Sequence, residues 1–189
     1  MRTASILAFV GLLCALVLSP RLATAGDTPM TDLPSDRHTT PAMGVLLGWS
    51  ALNMTTGAIG RARHDGRKGY YHEMNLAWNV VNAAIGAAGL LQARRQEAPS
   101  DPQSALRASH GREKLFLVNL GLNVAYVATG FALRERGQRL DDERLQGYGP
   151  SLMLQGAFLF GFDATLYVLQ RRHTRTIDER IPPSEPDDD

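Results

Sequence analysis

Four stretches of this chain are long, apolar and almost free of charge, and each is followed by a block rich in arginine. They are Ala42–Gly60, Met74–Ala93, Leu115–Leu133 and Pro150–Gln170. The first three contain no Asp, Glu, Lys or Arg, and the fourth contains only Asp163. Each is close to the ~20 residues an α-helix needs to cross a ~30 Å hydrocarbon layer. Polar residues within them recur at three and four rather than two, which predicts helices and disfavours strands. A water-soluble bundle would carry a charged face on every helix, and these segments are nearly uncharged all round. The expected fold class is all-α, a four-transmembrane-helix bundle.

Average composition hides this pattern. The chain is 44% hydrophobic and 21% charged, which would suit an ordinary soluble domain. Past the N-terminal region, and apart from Asp163, the charges are segregated into Arg61–Glu73, Arg94–Lys114, Arg134–Arg144 and Arg171–Asp189. Basic and acidic residues interleave there, and the net charge is +1. Neither the balance nor any motif argues for nucleic acid.

The N-terminus has the layout of a cleavable signal peptide. Arg2 precedes the apolar run "ASILAFVGLLCALVLS", and Ala23–Ala25 ("ATA") offers a small-residue cleavage site. The rival is an uncleaved first anchor. Cys14 lies inside the apolar run, so the mature chain has no cysteine for a disulfide, nucleophile or metal site. The expected organisation is a signal peptide (1–25), a polar lead-in (26–41), a four-helix domain (42–170) and a disordered acidic tail (171–189). Cleavage would leave Gly26 outside the cytoplasm and place the loop Arg61–Tyr71 inside. Arg61, Arg63, Arg67 and Lys68 in that loop agree with the positive-inside rule. The loop Arg94–Lys114 is equally basic and does not.

Within the apolar segments, the polar residues form lines. Asn75, Asn79, Asn82 and Gly86 fall on one helical face, as do Asn119, Asn123, Tyr126 and Gly130. The two segments align without gaps, "NLAWNVVNAAIGAA" over "NLGLNVAYVATGFA", as a weak internal repeat or as two answers to one packing requirement. An unpaired amide in hydrocarbon costs several kcal/mol, so both lines should face protein. Counting ~1.5 Å per residue from one end of each helix brings several polar groups to similar depth. The candidate polar cluster is Asn53, Asn79, Asn82, Asn123, Tyr126 and Asp163, with chemistry, if any, where Asn82 meets Asp163. Asp163 reads as either a protonatable or ligand-binding carboxylate, or a structural one bonded to Asn123 or Tyr126. Gly44-x-x-x-Gly48 has the spacing of a close helix contact, and Gly149-Pro150 that of a helix start.

No catalytic constellation accompanies these lines. The five histidines lie in loops or at helix ends, with no ligand pair at helical spacing. His64, Asp65, His72 and Glu73 could form an interfacial metal rim, but a solvated helix start explains them equally. No catalytic residue, metal or cofactor is expected.

"GWSALN" (Gly48–Asn53), "HEMNLAWNVVN" (His72–Asn82) and "LQGYGPSLMLQGAFLFGFD" (Leu145–Asp163) resemble an uncharacterised family of bacterial four-helix membrane proteins, a domain of unknown function. The resemblance spans about Gly44–Gln170. It implies a multi-pass membrane protein and carries no activity with it. The expected function is a non-enzymatic structural or partner subunit of the bacterial inner membrane. Its partners would be the lipid bilayer and another membrane protein or a second copy of itself. The alternative is a small transporter or ligand-binding bundle using the Asp/Asn cluster.

Overall fold

The computed structural model describes residues 38–95, 99 and 101–181. They form α1 (Thr39–Arg63), α2 (Gly66–Arg95), α3 (Pro102–Leu140) and α4 (Glu143–Asp178). The expected signal peptide, most of the lead-in and the end of the acidic tail lie outside the described residues.

The helices overrun the apolar segments. α3 has 39 residues and α4 has 36, so each spans over ~50 Å, well beyond one hydrocarbon layer. The expected loops are therefore corrected. Only His64 and Asp65 separate α1 from α2, only Asp141 and Asp142 separate α3 from α4, and Pro102–Lys114 is already helix. Arg, Glu, Gln, Lys and Leu are good helix formers, so the charged blocks continue the helices outward. At the other end, α4 passes Gln170 and runs to Asp178, and α1 starts at Thr39 rather than Ala42.

Local chemistry sets the helix ends. Asp101 and Ser104 cap α3 reciprocally, with Pro102 in the first turn. Asp141 ends α3 in a left-handed conformation (φ 52°). Asp142 starts α4, its carboxylate accepting the backbone N–H groups of Arg144 and Leu145 at 2.9 and 3.1 Å. Pro150 consequently lies inside α4 and does not start it. Lacking an N–H, it leaves the Gln146 carbonyl without its helical donor.

α1 packs on α2, α2 on α4, and α4 on α3, so the order across the molecule is α1–α2–α4–α3. The two hairpins are antiparallel, and their meeting helices α2 and α4 run parallel. Glycine sets the closest approach. A Cβ on Gly149 would lie 2.5 Å from the Gly130 carbonyl oxygen, and one on Gly130 would lie 2.6 Å from that of Gly149. Gly44 and Gly48 do not seat a helix within the chain: a Cβ at either meets nothing within 4 Å.

The distribution of polarity is inverted relative to a water-soluble protein. Ser50, Asn53, Asn75, Asn79, Asn82, Asn123, Ser151, Gln155 and Asp163 are buried, while Leu52, Val80, Val118, Val124, Phe131 and Val168 are exposed. α2, α3 and α4 are long and apolar enough to cross a membrane. α1, expected as a fourth span, has the length at 25 residues, but glycines, hydroxyls and Asn53 interrupt it, and it contains no stretch as apolar as the best stretches of those three.

Gly149→Ala should lower stability by about 1–3 kcal/mol through overpacking, whereas Gly48→Ala should be neutral. Thermal unfolding of both variants in detergent checks the contrast; equal effects would contradict the packing.

Candidate functional site

One amide joins three helices. Gln155 on α4 is fully buried. Its Oε1 accepts the indole N–H of Trp49 on α1 at 3.1 Å, and its Nε2 donates to Asn75 Oδ1 on α2 at 2.6 Å. Asn75 donates in turn to the backbone carbonyl of Asn53 at 3.2 Å. Asn53 donates to the Trp49 carbonyl one turn back, at 2.9 Å. Along α2, Asn79 donates to the Asn75 carbonyl at 2.8 Å, and Asn82 to Asn79 Oδ1 at 3.4 Å. The Trp49 ring lies flat on Phe158, centroids 3.8 Å apart, which holds the indole beside Gln155. Two further polar atoms nearby, Ser151 Oγ and Trp78 Nε1, are buried without a hydrogen-bond partner.

Asp163 belongs to a second, separate network. Its Oδ2 accepts from Asn123 on α3 at 2.6 Å. No Lys or Arg pairs with it among the described residues. Tyr126 sits between the networks, its ring edge-on to Trp78 with centroids 4.9 Å apart.

The single layer expected from depth is thus divided. Asn53, Asn79 and Asn82 lie with Asn75 and Gln155 on the α1/α2/α4 side, and Asn123 and Asp163 lie on the α3/α4 side. Asn82 ends the first chain, its amide donating to Asn79 and not to Asp163. The cause is rotation about α4: Gln155 and Asp163 are roughly 80° and 12 Å apart on an ideal helix. Asn75 and Gln155, outside the cluster expected from the sequence, carry the bonds that join α1, α2 and α4. The line Ser151–Gln155 at i, i+4 was the available signal, but its partner depended on how α4 sits against α2.

A third group lies just outside the apolar segments, where the two hairpins turn. Glu73 accepts from the Tyr148 hydroxyl at 2.5 Å and from Arg61 Nε at 3.2 Å. The Arg144 guanidinium lies 5.0 Å from the centre of the Tyr148 ring. Burial raises the pKa of the Tyr148 phenol, and its bond to Glu73 adds to that. The His64 and His72 rings stack with centroids 5.7 Å apart. Burial, and then the neighbouring His64, lower the pKa of His72. Glu73 is committed to Tyr148 and Arg61, so this rim gathers no set of three metal-ligating side chains among the described residues.

A four-helix architecture with three helices able to cross a membrane and a bonded polar interior is the class these features define. The chain belongs to a family of unknown function (DUF6992), whose model matches residues 45–164. No curated protein and no solved structure matches it. The matched span includes every residue of the two interior networks.

Gln155→Ala should destabilise the protein by about 1–3 kcal/mol, since Trp49 and Asn75 each lose a buried partner. Asn82→Ala should cost less, because Asn82 makes only the last bond of its chain. Unfolding in detergent micelles measures both; a larger loss at Asn82 would contradict the hub.

Proposed function

We propose that this protein is a non-enzymatic structural or partner subunit of the bacterial inner membrane. The observation that carries the reading is the way its interior polar groups are used. Gln155, Asn75, Asn79 and Asn82 bond to one another or to backbone, and Asn123 bonds to Asp163. A ligand would have to displace these bonds. Two surface cavities open where the apolar segments give way to the charged helix ends, and neither lining includes Asp163 or an asparagine. The outward-facing apolar side chains supply the surface a lipid or a second membrane protein would cover.

The second reading, a small ligand-binding or transporting bundle, draws on Asp163 itself. A buried carboxylate without a cation is costly and often functional in a membrane. Co-purification in mild detergent with mass spectrometry separates the readings. The subunit reading expects a stoichiometric protein partner whose recovery is unchanged in Asp163→Asn, with normal abundance and phenotype. Normal abundance with a lost phenotype, or a small molecule lost from that variant, would favour the ligand-binding bundle.

A further inference from the structure

We propose that a cleft between the ends of α2, α3 and α4 binds a phosphate diester, that of an anionic phospholipid headgroup. The cleft has a volume of about 300 Å³ and is lined by Arg67, Arg134, Gln138, Gln146 and Pro150. The position of its two arginines along their helices is built into the backbone. Gly147 lets α2 approach so closely that a Cβ there would strike the Arg67 carbonyl. Gly149, two residues on, does the same for α3: its Cβ would lie 2.7 Å from the Arg134 nitrogen. Two arginines from different helices are therefore held on either side of one short stretch of α4.

Neither arginine has an acidic partner among the described residues. The Glu143 carboxylate rests against Gly66, next to Arg67, without an ion pair to it; two other acids are used elsewhere. Glu73 accepts from Tyr148 and Arg61, and Asp142 caps α4. The Gln138 amide adds a neutral donor to the cleft lining. Two arginines lining one cleft, neither held in an ion pair among the described residues, suit the forked recognition of a phosphate.

The level of the cleft selects the source of that phosphate. Arg134 follows directly on the apolar segment that ends at Leu133, and Pro150 begins the apolar segment of α4. The cleft therefore opens where hydrocarbon would give way to headgroups, the usual place for basic pockets between helices to hold anionic lipid. The proposal rests on the membrane reading above but not on the partner-subunit reading.

The test uses the full chain purified in neutral detergent, with native mass spectrometry during titration by phosphatidylglycerol, phosphatidylcholine or inorganic phosphate. Phosphatidylglycerol should bind in preference to phosphatidylcholine. Removing each guanidinium, in Arg67→Gln, Arg134→Gln and the double variant, should weaken it roughly fivefold. Arg136→Gln with Arg139→Gln makes the same charge change outside the cleft and should leave most of the preference intact. Thermal unfolding confirms that all variants remain folded. Equal losses in the two double variants, or no preference for the anionic lipid, would overturn the site. Tight binding of inorganic phosphate with none of the lipid would replace the headgroup by free phosphate. Recovery in the membrane fraction is scored separately, so failure of the membrane reading is distinguishable from failure of the cleft.

Discussion

Gln155 has no contact with solvent, and its neighbours are helices rather than loops. An unpaired amide in such a place costs several kcal/mol, so the Trp49 and Asn75 bonds are requirements of the fold. They bind α1 and α2 to α4 and thereby set the rotation and the vertical position of both. Their net contribution to stability is modest, roughly 0.6–2 kcal/mol each. Their consequence is geometric: sliding α2 along α4 by one turn would strand Gln155, Asn75 and Trp49 together.

Once that register holds, the glycines of α4 fall where they are needed. Gly147 meets α2 and Gly149 meets α3, both at backbone distance. The same register brings Tyr148 to Glu73 and places Arg67 and Arg134 on two sides of one cleft. The interior network and the charged rim are thus two outcomes of one alignment. The far ends of α3 and α4 follow the same rule. There Gln170 donates to Ser109 at 2.6 Å, and Ser109 and Thr174 hydroxyls pair at 2.8 Å, so polar bonding continues along the hairpin past the apolar segments.

Much of this was legible residue by residue. The lines of asparagine on α2 and α3 could be read from a period of 3.6, and their burial followed from the cost of an amide in hydrocarbon. Pairing Asp163 with Asn123 was also within reach. Asn82 bonds to Asn79 and Asp163 to Asn123, because depth is one coordinate and a hydrogen bond also needs rotation. The helices outrun the expected loops for a related reason: charge marks the end of an apolar surface, not the end of a helix.

The sequence by itself determined that the chain is helical, that its helices carry apolar surface, and that its amides and Asp163 must turn inward. Those are local properties, because periodicity and the cost of burying a polar group depend on one helix and its surroundings. The tertiary structure decided which amide meets which. It made Gln155 the hub, divided the polar residues into two networks and left Gly44 and Gly48 open. These outcomes depend on the relative rotation and offset of α1, α2, α3 and α4, which are set jointly by close glycine contacts and interhelical bonds. No single segment contains that information.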